Sequence, residues 1–186
     1  MRKLIAFEQV SLDGYFVDGN GDMSWAHKQD PEWNEFASGN ASGGGALVFG
    51  RVTYDMMAAF WPTQAARERL PAVAEGMNKL PKVVFSRSLD KASWQNTKLV
   101  KGDPVTEMRR MKEASGPDMA ILGSGSIVSL LAQAGLIDEF QIVVNPIVLG
   151  KGRTLFEGLE GKIGLRLVKT RAFTNGNVVL YYEPLA

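Results

Sequence analysis

Residues 119–131, MAILGSGSIVSLL, carry the spacing with the clearest chemical meaning. The apolar run Ala120-Ile121-Leu122 stops at Gly123-Ser124-Gly125-Ser126, and apolar residues return at Ile127, Val128, Leu130 and Leu131. That order predicts a strand, a glycine turn and a helix packed on one face. Two glycines let a backbone approach a ligand closely, and the unpaired N–H groups of a first helical turn favour an anion. Phosphate is the natural candidate. Val128 stands where the third glycine of a full dinucleotide fingerprint would be, so the motif also fits a plain tight connection.

Two further apolar runs end in the same kind of residue. Ala46 to Phe49 is followed by Gly50-Arg51-Val52-Thr53, and Val83-Val84-Phe85 by Ser86-Arg87-Ser88. In an open α/β sheet ligands bind outside the carboxyl ends of the strands. Parallel neighbours would gather all three turns on one rim. The turn at 123–126 and the helix starting at Thr53 would offer N–H groups to a pyrophosphate. Arg51 and Arg87 would supply guanidinium forks suited to a phosphate monoester. A diphosphate with a separate monophosphate is what NADP(H) presents. Each piece has a plain structural reading too, Thr53 as a helix cap and Arg87 as a solvated strand end.

The elements that must position these turns follow from the rest of the chain. Lys3 to Val10 reads as a first buried strand, leading into Asp13-Gly14-Tyr15 and a glycine-rich loop, Asp18 to Asp22, expected to be mobile. A calcium loop fails there, because Met23 and Gln29 occupy the positions that need Gly and Glu. Asp30-Pro31 starts a helix that carries Trp33 and Phe36 inward and ends near Ser38-Gly39, with a loop from Ser42 to Gly45. Pro62, Pro71 and Pro81 leave room for short helices only. A short edge strand at 98–100, a helix from Pro104 capped by Asp103, a strand from Glu139 to Val144 and a C-terminal hairpin around Asn175-Gly176 complete the pattern. Strands alternate with helices first and an antiparallel tail follows, which predicts one α/β domain over residues 1–186 with a mixed, mostly parallel sheet.

Composition limits the alternatives. Twenty-one basic and twenty acidic residues give a net charge of +1, so no global field recruits nucleic acid or an anionic membrane. With no cysteine there is no disulfide, thiolate nucleophile or thiolate metal site, and no other metal cluster stands out. No apolar run approaches a membrane span, and Glu8 and Gln9 interrupt the N-terminal one too early for a signal peptide. A soluble, cytoplasmic protein is the expectation.

LIAFEQVSLDGYF, ALVFGRVTYDMM, KVVFSRSL, MAILGSGSIVSLL and IDEFQIVVNPIVLGKGRTLF, in this order and spacing, resemble the dihydrofolate reductase-like superfamily. Within it they are most similar to the reductase domain of bacterial riboflavin biosynthesis, the RibD C-terminal domain. The resemblance implies an NADPH-dependent reductase, a homodimer, of a small heterocyclic or carbonyl/imine substrate. A phosphoribosylamino-pyrimidine is the first named substrate, with pterin reduction and a non-catalytic nucleotide-binding module as alternatives. By position it implies cofactor contacts from Gly50, Arg51 and Thr53, from Ser86, Arg87 and Ser88, and from Gly123, Ser124, Gly125 and Ser126. Ala6 and the Asp13 to Asp22 loop would border the nicotinamide, the loop as a lid. Tyr15, Trp25, Gly150 and Arg153 would meet substrate. Asp30, spaced from Trp25 like the acid of dihydrofolate reductases, and Asp13 are the candidate catalytic acids. Both have ordinary duties as well, Asp30 as an N-cap and Asp13 as a turn residue. The long stretch before Gly50, and Val143 where that enzyme places a strand hydroxyl, count against folate. The lone His27 and the other aromatics, with Met56, Met57 and Trp61, fit incidental, core or dimer roles.

Overall fold

The computed structural model describes residues 1–27, 30–42 and 45–185. Lys28, Gln29, Gly43, Gly44 and Ala186 lie outside them, and with them the twelfth position of the rejected calcium loop and part of the 42–45 loop.

Eight strands form one sheet in the order β5-β4-β3-β6-β1-β7-β10-β9. The parallel part comprises β5 (Thr97–Val100), β4 (Lys82–Phe85), β3 (Ala46–Gly50), β6 (Met119–Leu122), β1 (Leu4–Ser11) and β7 (Glu139–Asn145). The hairpin of β9 (Leu165–Ala172) and β10 (Val178–Pro184) adds two antiparallel strands beside β7. The mixed, mostly parallel sheet expected from the sequence is therefore present. Among the described residues no helix is long and apolar enough to cross a membrane.

Strand alternation divides the core. Leu4, Ala6 and Val10 of β1 pack with Val48 and Ile121 against Met108 of α5 (Pro104–Glu113) and Val128 and Leu131 of α6 (Gly125–Gln133). On the opposite face, Phe49 and Val84 pack with Trp94, with Tyr54 of α2 (Arg51–Phe60) and with Val73 and Met77 of α4 (Pro71–Lys79). Farther along that face, Trp33 of α1 (Pro31–Ser42) packs on Val143, Phe173 and Val179. The helix α3 (Gln64–Arg69) lies between α2 and α4 in the chain, so the proline-rich stretch does hold short helices. Contrary to expectation, α1 runs through Gly39. A mid-helix glycine costs only about 1 kcal/mol, and Trp33 stacked edge-on against Phe173 at 5.1 Å helps hold the helix in place.

Part of the segment expected to be a loop is a strand. Tyr15–Asp18 forms β2, paired antiparallel with β8 (Gly152–Thr154), and Phe16 and Val17 are buried. A Cβ on Gly152 would collide with the Val17 carbonyl oxygen, so this ribbon needs glycine there. The apolar character of Phe16 and Val17 outweighs the loop signals on either side.

Glu8 shares the buried face of β1 with Leu4, Ala6 and Val10, and neither of its carboxyl oxygens has a partner among the described residues. Burial pushes its pKa well above the ordinary carboxylate range. An acid raised in the folded state binds its proton more tightly there than in the unfolded chain. Its contribution is therefore most favourable below the unfolded value and declines as pH rises toward the folded one. Glu8→Leu should stabilise the protein by about 1–3 kcal/mol at pH 8, and by less at pH 5, in paired denaturant melts. Equal gains at both pH values would show that the carboxyl is not the cost.

Candidate functional site

The three strand-end turns meet on one edge. β4, β3 and β6 are adjacent and parallel, so Ser86–Ser88, Gly50–Thr53 and Gly123–Ser126 follow neighbouring strands at their carboxyl ends. The chain leaves β3 through α2 onto one face and leaves β6 through α6 onto the other. Divergence of this kind opens a crevice between neighbouring strands, where α/β folds bind their ligands.

Two hydrogen bonds lock the turns beside that crevice. The Gly50 N–H donates to Ser124 Oγ at 2.8 Å, and the Ser124 N–H donates to Thr53 Oγ1 at 3.0 Å. Ser124 is the α6 N-cap, held in the left-handed region at φ 62°, ψ 50°. Non-glycine residues rarely accept that conformation without surrounding constraint. Its hydroxyl serves the neighbouring turn rather than its own helix. The Ile127 and Val128 N–H groups close onto the Ser124 carbonyl. Gly125 and Ser126, the first two residues of α6, are the ones whose N–H groups no earlier carbonyl of the helix can accept. A Cβ on Gly123 would approach Thr53 Cγ2 at 3.0 Å, and one on Gly125 would approach Phe16 at 3.1 Å. The cradle is thus narrow and backbone-lined, and its residues fit an anion.

Cations flank it. Arg51 is exposed and meets Asp55 at 3.3 Å, an i,i+4 pair too solvated to hold it strongly. Arg87 is exposed on the turn after β4, beside a Ser86 hydroxyl that accepts the Leu89 N–H at 3.0 Å. Asp103, the α5 N-cap, has its pKa lowered chiefly by the Thr106 hydrogen bonds, with a smaller contribution from the Arg87 charge.

Below the edge lies a cavity of about 440 Å³. Its floor is the face of β1 and β6 opposite Glu8, with Ile5, Phe7, Gln9 and Leu122, and Gln141 of β7 beside them. Trp33 of α1, Met57 of α2 and Trp61 form walls. Leu122 lines the cavity and Gly123 begins the turn, so the two places adjoin. The β1–β6 ladder stops at Phe7–Leu122, whereas β1–β7 pairing continues to Ser11–Asn145. β1 therefore runs on past the end of β6, on the side where the turn at Gly123 begins.

Several expected site residues stand elsewhere. Ala6 is wholly buried between Ile121 and Phe140, and alternation turns it away from the cavity that its neighbours Ile5 and Phe7 line. Asp30 caps α1, its Oδ1 accepting the Trp33 N–H at 2.8 Å. Trp25 sits in a short 3-10 turn with its indole N–H on the Asp22 carbonyl at 3.1 Å. Tyr15 and Arg153 lie on the β2–β8 ribbon, and none of these four lines the cavity. The cavity residues Phe7, Gln9, Trp33 and Gln141 are not among the expected site residues, and Met57 and Trp61, expected in core or dimer contact, line the cavity as well. Their signal was the period-2 alternation of β1 and β7, which sets Ile5-Phe7-Gln9 against Ala6-Glu8-Val10.

Asp13 is a clamp. Its carboxylate accepts the Ser11 hydroxyl at 2.6 Å, the Gly150 N–H at 2.7 Å and the Leu149 N–H at 3.1 Å. The Ser11 hydroxyl contributes most, with the Gly150 and Leu149 N–H groups adding to it, and together they lower its pKa to about 2. The carboxylate expected to serve as an acid is thus engaged with Ser11 and with the Leu149–Gly150 backbone. Gly150, expected to touch substrate, spends its N–H here. The clamp is intact above the unfolded value of 3.8 and fades as pH falls toward about 2. Asp13→Asn should speed amide exchange at Leu149 and Gly150 by about tenfold or more at pH 7 with little change in global melting. Unchanged protection there would refute the clamp.

The RibD C-terminal domain family matches residues 2–179. The uncharacterized protein YyaP of Bacillus subtilis (strain 168) is 27% identical over 184 residues, covering 98% of this chain and 95% of its own. A Shewanella sp. PV-4 structure, named "Putative riboflavin biosynthesis protein", superposes with TM-score 0.77 at 26% identity over 99% of both chains. The fold also matches a Thermotoga maritima diaminohydroxyphosphoribosylaminopyrimidine deaminase/5-amino-6-(5-phosphoribosylamino)uracil reductase, with TM-score 0.68 at 15% identity. That match covers 99% of this chain and 57% of the other. With the match along nearly its whole length, the chain belongs to the RibD C-terminal domain family.

Proposed function

We propose that the protein is an NADPH-dependent reductase of a small, flat heterocyclic or carbonyl/imine substrate. The observation that carries this reading is the meeting of two locked turns and a cationic edge directly above an apolar cavity. The N–H groups of Gly125 and Ser126 would hold the pyrophosphate, with Ser124 and Thr53 fixing their direction. Arg87, with Ser86 and Ser88 beside it, and Arg51 would hold the 2′-phosphate. When bound, the dinucleotide supplies a hydride. The cavity walls, Phe7, Trp33 and Trp61 among them, would orient the substrate below the carboxyl ends of β1 and β6 and exclude bulk water.

No side chain is assigned as proton donor. Asp13 is ionised, Asp30 caps a helix and Glu8 faces the other side of the sheet. Asp118 is the only acid lining the cavity among the described residues, and it accepts the Lys3 N–H at 2.7 Å near the strand N-termini. In this reading the proton comes from water entering at the carboxyl edge. Among the described residues no phosphate-binding cation lines the cavity, which weighs against a phosphoribosyl substrate lying wholly within it.

Titration followed by tryptophan fluorescence should show NADPH binding at least about tenfold tighter than NADH, and Arg87→Ala should erase that preference. A preference untouched by the substitution would remove Arg87 from the 2′-phosphate site. Consumption of NADPH with a panel of pterins, pyrimidines and cyclic imines tests turnover, and tight binding without any consumption would make the protein a nucleotide-binding module.

A further inference from the structure

The cavity is apolar except at a few points, and two of those points form a pair. Gln9 on β1 and Gln141 on β7 line the same face of adjacent parallel strands. Gln141 stands opposite Phe7, and Gln9 opposite Val143, so the two carboxamides are two residues apart along the sheet with Phe7 as neighbour to both.

Their partners fix which atom each presents. Gln141 Nε2 donates to Glu139 Oε1 at 2.7 Å. A carboxylate only accepts, so the amide nitrogen must face Glu139 and Oε1 is left as an acceptor. Asn145 is wholly buried, and its Nδ2 lies 3.3 Å from the Val10 carbonyl and 3.4 Å from that of Val143. Those two carbonyls hold the amide nitrogen on that side, where it also faces Gln9 Oε1 at 3.4 Å. Gln9 therefore has its Nε2 donor on the side away from Asn145. Among the described residues neither Gln9 Nε2 nor Gln141 Oε1 has a recorded partner.

One donor beside one acceptor is the complement of a cis-amide edge, in which a ring carbonyl and the adjacent ring N–H point the same way. Asp118 is the only charged residue lining the cavity among the described residues, and it lies near the strand N-termini. A ligand charge would be desolvated there without an opposite partner, at heavy cost. Phe7, Trp33 and Trp61 supply aromatic walls for a flat ring.

We infer that Gln9 and Gln141 determine specificity for an uncharged, flat ring bearing a lactam edge, Gln9 donating to its carbonyl and Gln141 accepting from its N–H. The inference relies on the reductase reading for the fate of the ligand and on the cavity alone for its identity. A site built to accept an N–H rejects an analogue that cannot donate one far more strongly than a greasy pocket rejects a methyl group.

Three probes test this by tryptophan fluorescence without any cofactor: quinazolin-4(3H)-one, its 3-methyl derivative and its 7-carboxylate. The parent lactam should bind at least about tenfold tighter than either derivative. Gln141→Met should bring the parent and 3-methyl affinities within about twofold of each other, while Gln9→Met should weaken both and preserve their ratio. Equal binding of the methylated probe to the native protein, tightest binding of the carboxylate, or a ratio that survives Gln141→Met would each overturn the inference. The comparison among probes on the native protein stands even where a variant fails to fold. Lactam discrimination without NADPH binding would contradict the reductase reading alone, and NADPH-dependent turnover without lactam discrimination would contradict this inference alone.

Discussion

Ser124 joins two strand ends that diverge. Its hydroxyl takes the Gly50 N–H and its own N–H goes to Thr53, so the turn after β3 and the turn after β6 form one rigid unit. Buried bonds of this kind contribute modestly when made and are costly when half-broken. They also hold Ser124 in the left-handed conformation. The constraint aims the start of α6 at the crevice, and every functional assignment on that edge depends on it.

The sheet then separates two kinds of work. Face alternation along β1 sends Ala6, Glu8 and Val10 into the core beneath α5 and α6 and sends Ile5, Phe7 and Gln9 into the cavity. Glu8 shows how strict the division is, since a carboxyl one residue from two cavity side chains is sealed away from them. The β2–β8 ribbon, held by Asp13 to the Leu149–Gly150 backbone, braces the core side. Its residues carry much of the family likeness, yet in this geometry they support the edge.

Much of the fold was legible because its signals are local. Asp103 caps α5 by accepting the Thr106 N–H, as Asp-Pro predicts, and Asn175-Gly176 turns the C-terminal hairpin. The gathering of the turns at 50–53, 86–88 and 123–126 followed from strands that end alike in a parallel sheet. The cavity was not legible. Gln9 and Gln141 are 132 positions apart by number (141 − 9) and meet only because β7 pairs with β1. Asp30 caps α1 as Asp-Pro predicts, whereas the Leu149 and Gly150 N–H groups that Asp13 accepts come from a distant segment that local spacing does not reveal.

The central claim is that the paired turns of β3 and β6 cradle the pyrophosphate of a phosphorylated nicotinamide dinucleotide, with the cavity beneath holding what is reduced. A crystal structure of the protein with NADP⁺ measures this most directly. The account predicts pyrophosphate oxygens within hydrogen-bonding distance of the Gly125 and Ser126 N–H groups, the 2′-phosphate at Arg87 and the nicotinamide between the carboxyl ends of β1 and β6. Dinucleotide bound on another face, or with its pyrophosphate away from the start of α6, would contradict it.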